Sequence, residues 1–303
     1  MNPRPVPCVR RGMWTFQLGK HLIHALAFSP DGSRLAVANG HKVTLVDWQA
    51  PGKPVWHEPP RDTPGSPIWL TFRPDGPGIL IGYNSYGRGC VLELDPAAGS
   101  LVACAPHDNI WRRPTVVAGS DPPAVLAAID LSRTADLLAC FVVPLRGGLP
   151  LARLGVPASY NDIDWPKAAW ADSRGRLGVW SDRLLQWFRW PPPPAEPGPS
   201  RWRALALASA VGVARPVPPE LELLAKYPFP PAADAVAPLP DGDTLLVARK
   251  GALVRWHAPT GTELARWRWP KMHGLRSIAV SPDGTVAAVG GKDGWVVVWD
   301  LDV

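Results

Sequence analysis

The triplet Pro-Asp-Gly occurs four times in this chain, at Pro30-Asp31-Gly32, Pro74-Asp75-Gly76, Pro240-Asp241-Gly242 and Pro282-Asp283-Gly284. The first two aspartates stand 44 residues apart and the last two 42 apart. Each triplet closes a short apolar run: IHALAFSPDG from Ile23, WLTFRPDG from Trp69, AVAPLPDG from Ala235 and LRSIAVSPDG from Leu275. Recurrence at a fixed interval means that one structural unit is repeated, and the interval limits the choice of unit.

Each copy has the same local logic. Alternation in His24 to Phe28 predicts a half-buried strand. Proline then pre-sets φ, aspartate bonds its own backbone, and glycine supplies the positive φ that closes the turn. Second strands are predicted at Leu35 to Ala38, Ile79 to Gly82, Leu245 to Ala248 and Val286 to Val289. Third strands follow at Val43 to Asp47, Val91 to Asp95, Leu253 to His257 and Val296 to Asp300, and a fourth is clearest in Leu264 to Trp269. Four strands per ~40–45 residues is the period of a propeller blade. The chain has 38 prolines and 28 glycines spread as punctuation, which leaves few gaps of helical length and supports an all-β fold.

The last copy carries a specific likeness. GGKDGWVVVWDLDV, from Gly290, resembles the end of a Trp-Asp (WD) repeat, with Trp299-Asp300 as the name-giving pair. The corresponding pairs read Val46-Asp47, Leu94-Asp95, Trp187-Phe188 and Trp256-His257, so one unit keeps both letters. In that family a His, an Asp, a Ser or Thr and the Trp form a buried hydrogen-bonded set. The resemblance implies such roles for His273, Asp293 and Trp299, with Val289 replacing the hydroxyl. It is strong over residues 20–100 and 230–303 and weak between them.

The middle is threaded through Ala168 to Trp190, where Asp172 to Gly175 replaces the usual turn, and through Pro114 to Asp130, Leu137 to Val143 and Leu149 to Gly155. That makes six units. The segment 191–230, with Pro191 to Pro194, is either an insertion in one blade or a seventh, degenerate blade, and six is favoured. The last unit stops after its third strand, while a spare β-like run, Met13 to Leu18, precedes the first. Pairing that run beside Val296 to Leu301 would close the ring without an open sheet edge. The expected layout is a basic tail at 1–12 and one closed propeller over 13–303.

Composition excludes several functions. With 46% hydrophobic residues and 19% charged residues, the chain has material for a core. Its best apolar helix candidate, Ala204 to Ala214, is 11 residues long against the ~20 that span a bilayer. No apolar run follows the basic N-terminus, so no secretory signal is expected, and a reducing cytoplasm is the expected setting. Cys8, Cys90, Cys104 and Cys140 have neither metal nor disulfide spacing and read as reduced thiols. The formal charge is +6, of which +4 falls in residues 1–22. Arg-aromatic mixtures at Trp187 to Trp190 and Arg266 to Trp269 suit base stacking in principle. Alternation separates Trp267 from Arg266 and Arg268, which fits packing between blades better, so nucleic acid is not the expected partner.

Chemistry finds little support. The aspartates Asp31, Asp75, Asp241 and Asp283 recur at one turn position and read as turn formers. Asp162 and Asp164 lie outside the pattern and read as loop residues, and no two histidines show helical metal spacing. No nucleophile-elbow or phosphate-loop motif occurs. No cofactor and no metal is expected. A binding function remains, since propeller loops vary without disturbing the core. The family resemblance implies docking on the face made by loops that lead into first strands and by second-to-third turns. Mapped here, that face carries His21, Trp69, Trp111, Arg112, Tyr160, Asn161, Arg276 and Trp295. The reading is a non-catalytic protein-interaction scaffold. The alternative is a propeller hydrolase with a metal or acid/base site in the central channel.

Overall fold

The computed structural model describes residues 13–63, 65–73, 78–85, 88–103, 111–118, 124–130, 138–144, 152–154, 167–172, 174–181, 184–190, 220–229, 233–268 and 274–301. They form β-strands joined by turns, with one short 3-10 turn at Lys292–Gly294. No helix among the described residues is long and apolar enough to cross a membrane.

The strands group as antiparallel four-stranded meanders. The first is β2 (Ile23–Phe28), β3 (Arg34–Asn39), β4 (Lys42–Asp47) and β5 (Trp56–His57). The second is β6 (Ser66–Phe72), β7 (Ile79–Ser85), β8 (Arg88–Asp95) and β9 (Ser100–Ala103). Next come β10 (Trp111–Ala118), β11 (Ala124–Asp130), β12 (Leu138–Pro144) and β13 (Ala152–Leu154). These are followed by β14 (Ala168–Ala171), β15 (Arg176–Trp180), β16 (Leu184–Arg189) and β17 (Leu223–Pro228). The chain continues with β18 (Ala233–Pro238), β19 (Thr244–Arg249), β20 (Ala252–His257) and β21 (Thr262–Arg268). The last sheet takes β22 (Ser277–Val280), β23 (Val286–Gly290) and β24 (Trp295–Asp300), with β1 (Met13–Gln17) as its fourth strand.

The fold is an all-β propeller of four-stranded blades, but the hydrogen-bonded sheets among the described residues number five, not the six favoured from the sequence. The reason is local. The innermost strands β10 and β14 run close enough to pair in parallel at Val117–Ala169 and Ala118–Trp170, which fuses two meanders into one eight-stranded sheet. The expected pairing of the N-terminal run is present: Thr15 faces Val297 and Phe16 faces Val296. Between the first and last sheets there is no strand ladder among the described residues, although Ile23 N–H donates to the Gly291 carbonyl at 3.1 Å. The apolar run Ala204 to Ala214 and the proline run lie outside the described residues. The strand that follows them, β17, pairs with β16.

Neighbouring four-stranded meanders pack face to face, so each core cluster among the described residues is shared by two of them. Leu26, Val37 and Val46 of the first meander meet Phe16, Ala288 and Val298 of the last sheet. Ala36 and Val43 meet Ile81 and Leu92 of the second meander. Leu246 and Leu253 meet Val289 and Trp299. Arg266 and Arg268 are exposed while Trp267, between them, packs 6.3 Å from Trp299, as alternation predicts. Burial pushes the Cys90 thiol up to about 11, which makes it an unreactive core group.

The Pro-Asp-Gly turns do more than reverse the chain. Asp31 accepts from the Ser33 N–H at 3.1 Å and from the Ser29 and Ser33 hydroxyls, and Asp283 does the same with Thr285 and Ser281. Asp241 accepts from the Asp243 and Thr244 N–H groups, and Asp172 fills the same place with Arg174 and Arg176. The turn glycines face the preceding blade: a side chain on Gly284 (φ +76) would stand 2.7 Å from Pro240 Cδ, and Gly32 looks onto Pro282. One such seam is ionic instead. Arg176 bonds Asp172 at 2.7 Å and reaches Asp243 of the next blade at 3.1 Å, where Arg174 joins at 2.6 Å. Asp75 lies outside the described residues.

Candidate functional site

The first strands β2, β6, β14, β18 and β22 surround a cavity of about 400 Å³. At one end are the Asp-capped turns. At the other end one position recurs with a different residue each time. It lies five residues before the residue whose N–H closes the first turn, namely Ser29, Arg73, Asp172, Leu239 and Ser281. Counting back gives His24, Ile68, Lys167, Asp234 and Arg276, and all five line the cavity.

Backbone irregularity explains how three of these side chains come to line it. The β2–β3 register slips between Ile23 and Ala25, β6–β7 slips between Pro67 and Trp69, and β18–β19 slips between Ala233 and Ala235. The extra residue is His24, Ile68 or Asp234. A bulge re-aims a side chain out of the strand's alternation. Lys167 and Arg276 stand just ahead of their strands, their N–H groups donating to Trp180 and Gly290 carbonyls at 2.7 and 2.9 Å. Arg276 pairs with Asp234 at 3.3 Å, and the Lys167 ammonium lies 5.5 Å from the Trp180 ring centroid. Burial, with His41 nearby, holds the His24 imidazole below its usual range, so it is neutral at pH 7.

Of the residues expected on this face, the structure brings Trp69 and Arg276 to the cavity. Trp69 is half-buried with its ring laid over Gly82. His21 is exposed in the β1–β2 loop, against Gly40, with its carbonyl accepting from the Asn39 amide at 3.3 Å. Trp295 opens β24 and packs against the cluster around Trp299. Trp111 and Arg112 are the first residues of β10, paired with Ile129 and Ala128. Tyr160, Asn161 and His273 lie outside the described residues, as do Asp162 and Asp164. Asp293 is exposed at φ +63 and its carbonyl accepts from Gln17 at 2.7 Å, while Trp299 and Val289 are buried and Asp300 ends β24 half-buried. Sequence reasoning missed His24, Ile68, Lys167 and Asp234. The fixed count back from the Pro-Asp-Gly turn would have found them, since the turn is the best-marked point of the repeat.

Among the described residues no three His, Cys, Asp or Glu side chains come together as a metal site. What the mouth offers is one cation–carboxylate pair, a second cation, a neutral imidazole, an exposed Ile68 and aromatic faces. That set suits recognition of a polar, partly apolar ligand.

Comparison with known proteins agrees with the fold. Residues 270–300 match the model of the WD40 family, described as WD domain, G-beta repeat. No curated protein matches the sequence. Among solved structures the chain is similar to the Cps50 (Swd1) beta-propeller domain of Myceliophteria thermophila, with a TM-score of 0.54 and 15% identity. The alignment covers 92% of this chain and 83% of that one. In all, 1319 chains match, and a shape shared so widely identifies an architecture and not a task. The likeness to WD-repeat propellers, with divergent repeats, therefore holds.

Proposed function

We propose that this chain is a non-catalytic protein-interaction module that binds a partner polypeptide through the channel mouth and the loops around it. The observation that carries the proposal is the recurrent bulge. A repeat that re-aims one position into a shared cavity, and fills it with His24, Ile68, Asp234 and, at the equivalent places, Lys167 and Arg276, displays varied chemistry on a constant frame. Trp69 adds the aromatic surface typical of interface hot spots. Trp111, Arg112, Tyr160, Asn161, His21 and Trp295 are read as the surrounding rim.

The ring is read as six blades, with the β10–β13 and β14–β17 meanders counted separately, and as one propeller over 13–303 behind a basic tail at 1–12. The segment 191–230, which ends in β17, is read as an insertion in one blade and not as a seventh blade. The setting is the cytoplasm, consistent with a buried reduced Cys90. The test is affinity capture from the native host with the full chain. Wild type is expected to retain a protein that the Ile68→Glu, Arg276→Glu double variant loses while keeping its unfolding midpoint. Retention by both, or a stoichiometric tightly bound metal on elemental analysis, overturns the proposal.

A further inference from the structure

On two neighbouring sheets, β18–β21 and the last sheet, charge is sorted by end. At the turn end stand Asp241, Asp243, Asp283 and Asp300. At the mouth end stand Arg249, Lys250, Arg268, Arg276 and Lys292, with Asp234 and Asp293 among them. Arg249 faces Ala252 across the β19–β20 hairpin, and Ala252 faces Arg268 on β21. Residues directly opposite one another share a sheet face, so two arginines flank one alanine. Lys292 lies with its stem across Gly274, two residues ahead of Arg276: a Cβ on that glycine would meet Lys292 Cε at 2.9 Å. Lys250, Arg268, Arg276 and Lys292 are exposed. Among the described residues only Arg276 of these four has a carboxylate at ion-pair distance, Asp234 at 3.3 Å. Glu263, the acid of the outer strand, is held by Arg266 at 2.6 Å.

One of these cations is placed against the preference of its backbone. The β19–β20 turn has two central residues and both have positive φ, Lys250 at 48° and Gly251 at 71°. Such a turn favours glycine, asparagine or aspartate, and lysine is uncommon there. The corresponding turn of the first meander has Gly40, at φ +61, in the place of Lys250. A side chain kept at a disfavoured φ points to a use for that side chain.

We propose that the mouth ends of β18–β21 and of the last sheet bind an acidic stretch of the partner polypeptide, with Arg249, Lys250, Arg268 and Lys292 as its cationic contacts. The inference rests on the interaction-module reading above and adds the chemistry of the partner. Charges at an interface rim steer encounter and choose partners, and the acidic turn end repels the same ligand. A nucleic acid fits less well. Asp234 and Asp293 interrupt the cations, and Trp267, beside Arg268, turns inward onto Trp299 and offers no face for stacking bases.

The test is fluorescence anisotropy of labelled deca-glutamate with the full chain at low salt, using two double variants of equal net charge. Arg249→Glu, Lys250→Glu alters the mouth, and Arg34→Glu, Lys53→Glu makes the same charge change at exposed positions of the turn end. The mouth pair is expected to weaken binding about tenfold or more and the turn-end pair less than about threefold. Equal weakening by both pairs reduces the attraction to net charge and overturns the patch. Deca-thymidylate bound as tightly as deca-glutamate, or more tightly, overturns the polypeptide. Lys250→Gly provides a variant that keeps the fold, since glycine accepts the positive φ. It is expected to hold or raise the unfolding midpoint while weakening deca-glutamate binding, and unchanged binding overturns the role of Lys250. A native partner captured equally by wild type and the Arg249→Glu, Lys250→Glu variant overturns the acidic contact and leaves the interaction-module reading standing. Failure of the wild type to capture any partner overturns that reading itself.

Discussion

At one end of four first strands, β2, β14, β18 and β22, the same chemistry recurs. Asp31, Asp241 and Asp283 cap their own turns, and Asp172 does so where the triplet has decayed to Asp-Ser-Arg-Gly. At the other end nothing recurs but the position: His24, Ile68, Lys167, Asp234 and Arg276 share neither charge nor polarity. The two ends belong to the same strands and differ in what they must do. The turn end must seat against the preceding blade, and the Gly284–Pro240 contact leaves no room for a side chain. The mouth end touches a cavity, where any residue that tolerates partial exposure fits. Repetition thus marks what holds the ring together, and variation marks what it presents.

That contrast can be broken by experiment. The largest effect is expected from the core that both ends share: Phe16→Ala, at a position 1% exposed, should cost about 3–5 kcal/mol, read as a lower urea midpoint. At the turn end, Gly284→Ala combines a positive φ with the Pro240 clash and should cost about 1–3 kcal/mol. A stability unchanged by that substitution would remove the interlocking role of the turns.

Acid provides a subtler probe of the same end. The Ser29 hydroxyl, with Ser33, holds the Asp31 carboxyl down to about 2, and the Ser281 hydroxyl, with Thr285, lowers that of Asp283. A carboxyl depressed in the folded state stabilises at pH above its unfolded pKa of ~3.9 and loses that contribution as pH falls toward the folded value. Between about pH 4 and 2 the wild type should therefore lose stability more steeply than an Asp31→Asn, Asp283→Asn double variant. Equal slopes in denaturant titrations across that window would mean that the turn aspartates contribute nothing. The smallest effect belongs to the mouth, where Arg276→Ala should shift stability by no more than about 0.5 kcal/mol. A large loss there would make Arg276 a structural residue.

The sequence disclosed the turn end far better than the mouth. Pro-Asp-Gly demands particular residue types, so its period, the strands on either side and the pairing of Met13–Gln17 with β24 were all readable. The mouth rests on bulges at His24, Ile68 and Asp234, and a bulge demands no residue type at these positions. The tryptophans divided in the same way. Trp267 was placed by alternation, whereas the burial of Trp170 and Trp180 depends on how two blades meet. The fused eight-stranded sheet was also illegible, because two residues of parallel pairing leave no pattern in the chain.

The pairing of β1 with β24 sets a timetable for synthesis. Residues 13–17 find their hydrogen-bonding partner at 295–299, which is made only after all the strands between them. Until then β1 lacks its pairing strand and the face of β2 that meets the last sheet is uncovered, so closure of the ring has to await β24. A nascent or truncated chain that lacks β24 would display an unpaired apolar ribbon, and chaperone binding or aggregation should fall sharply once that strand leaves the ribosome.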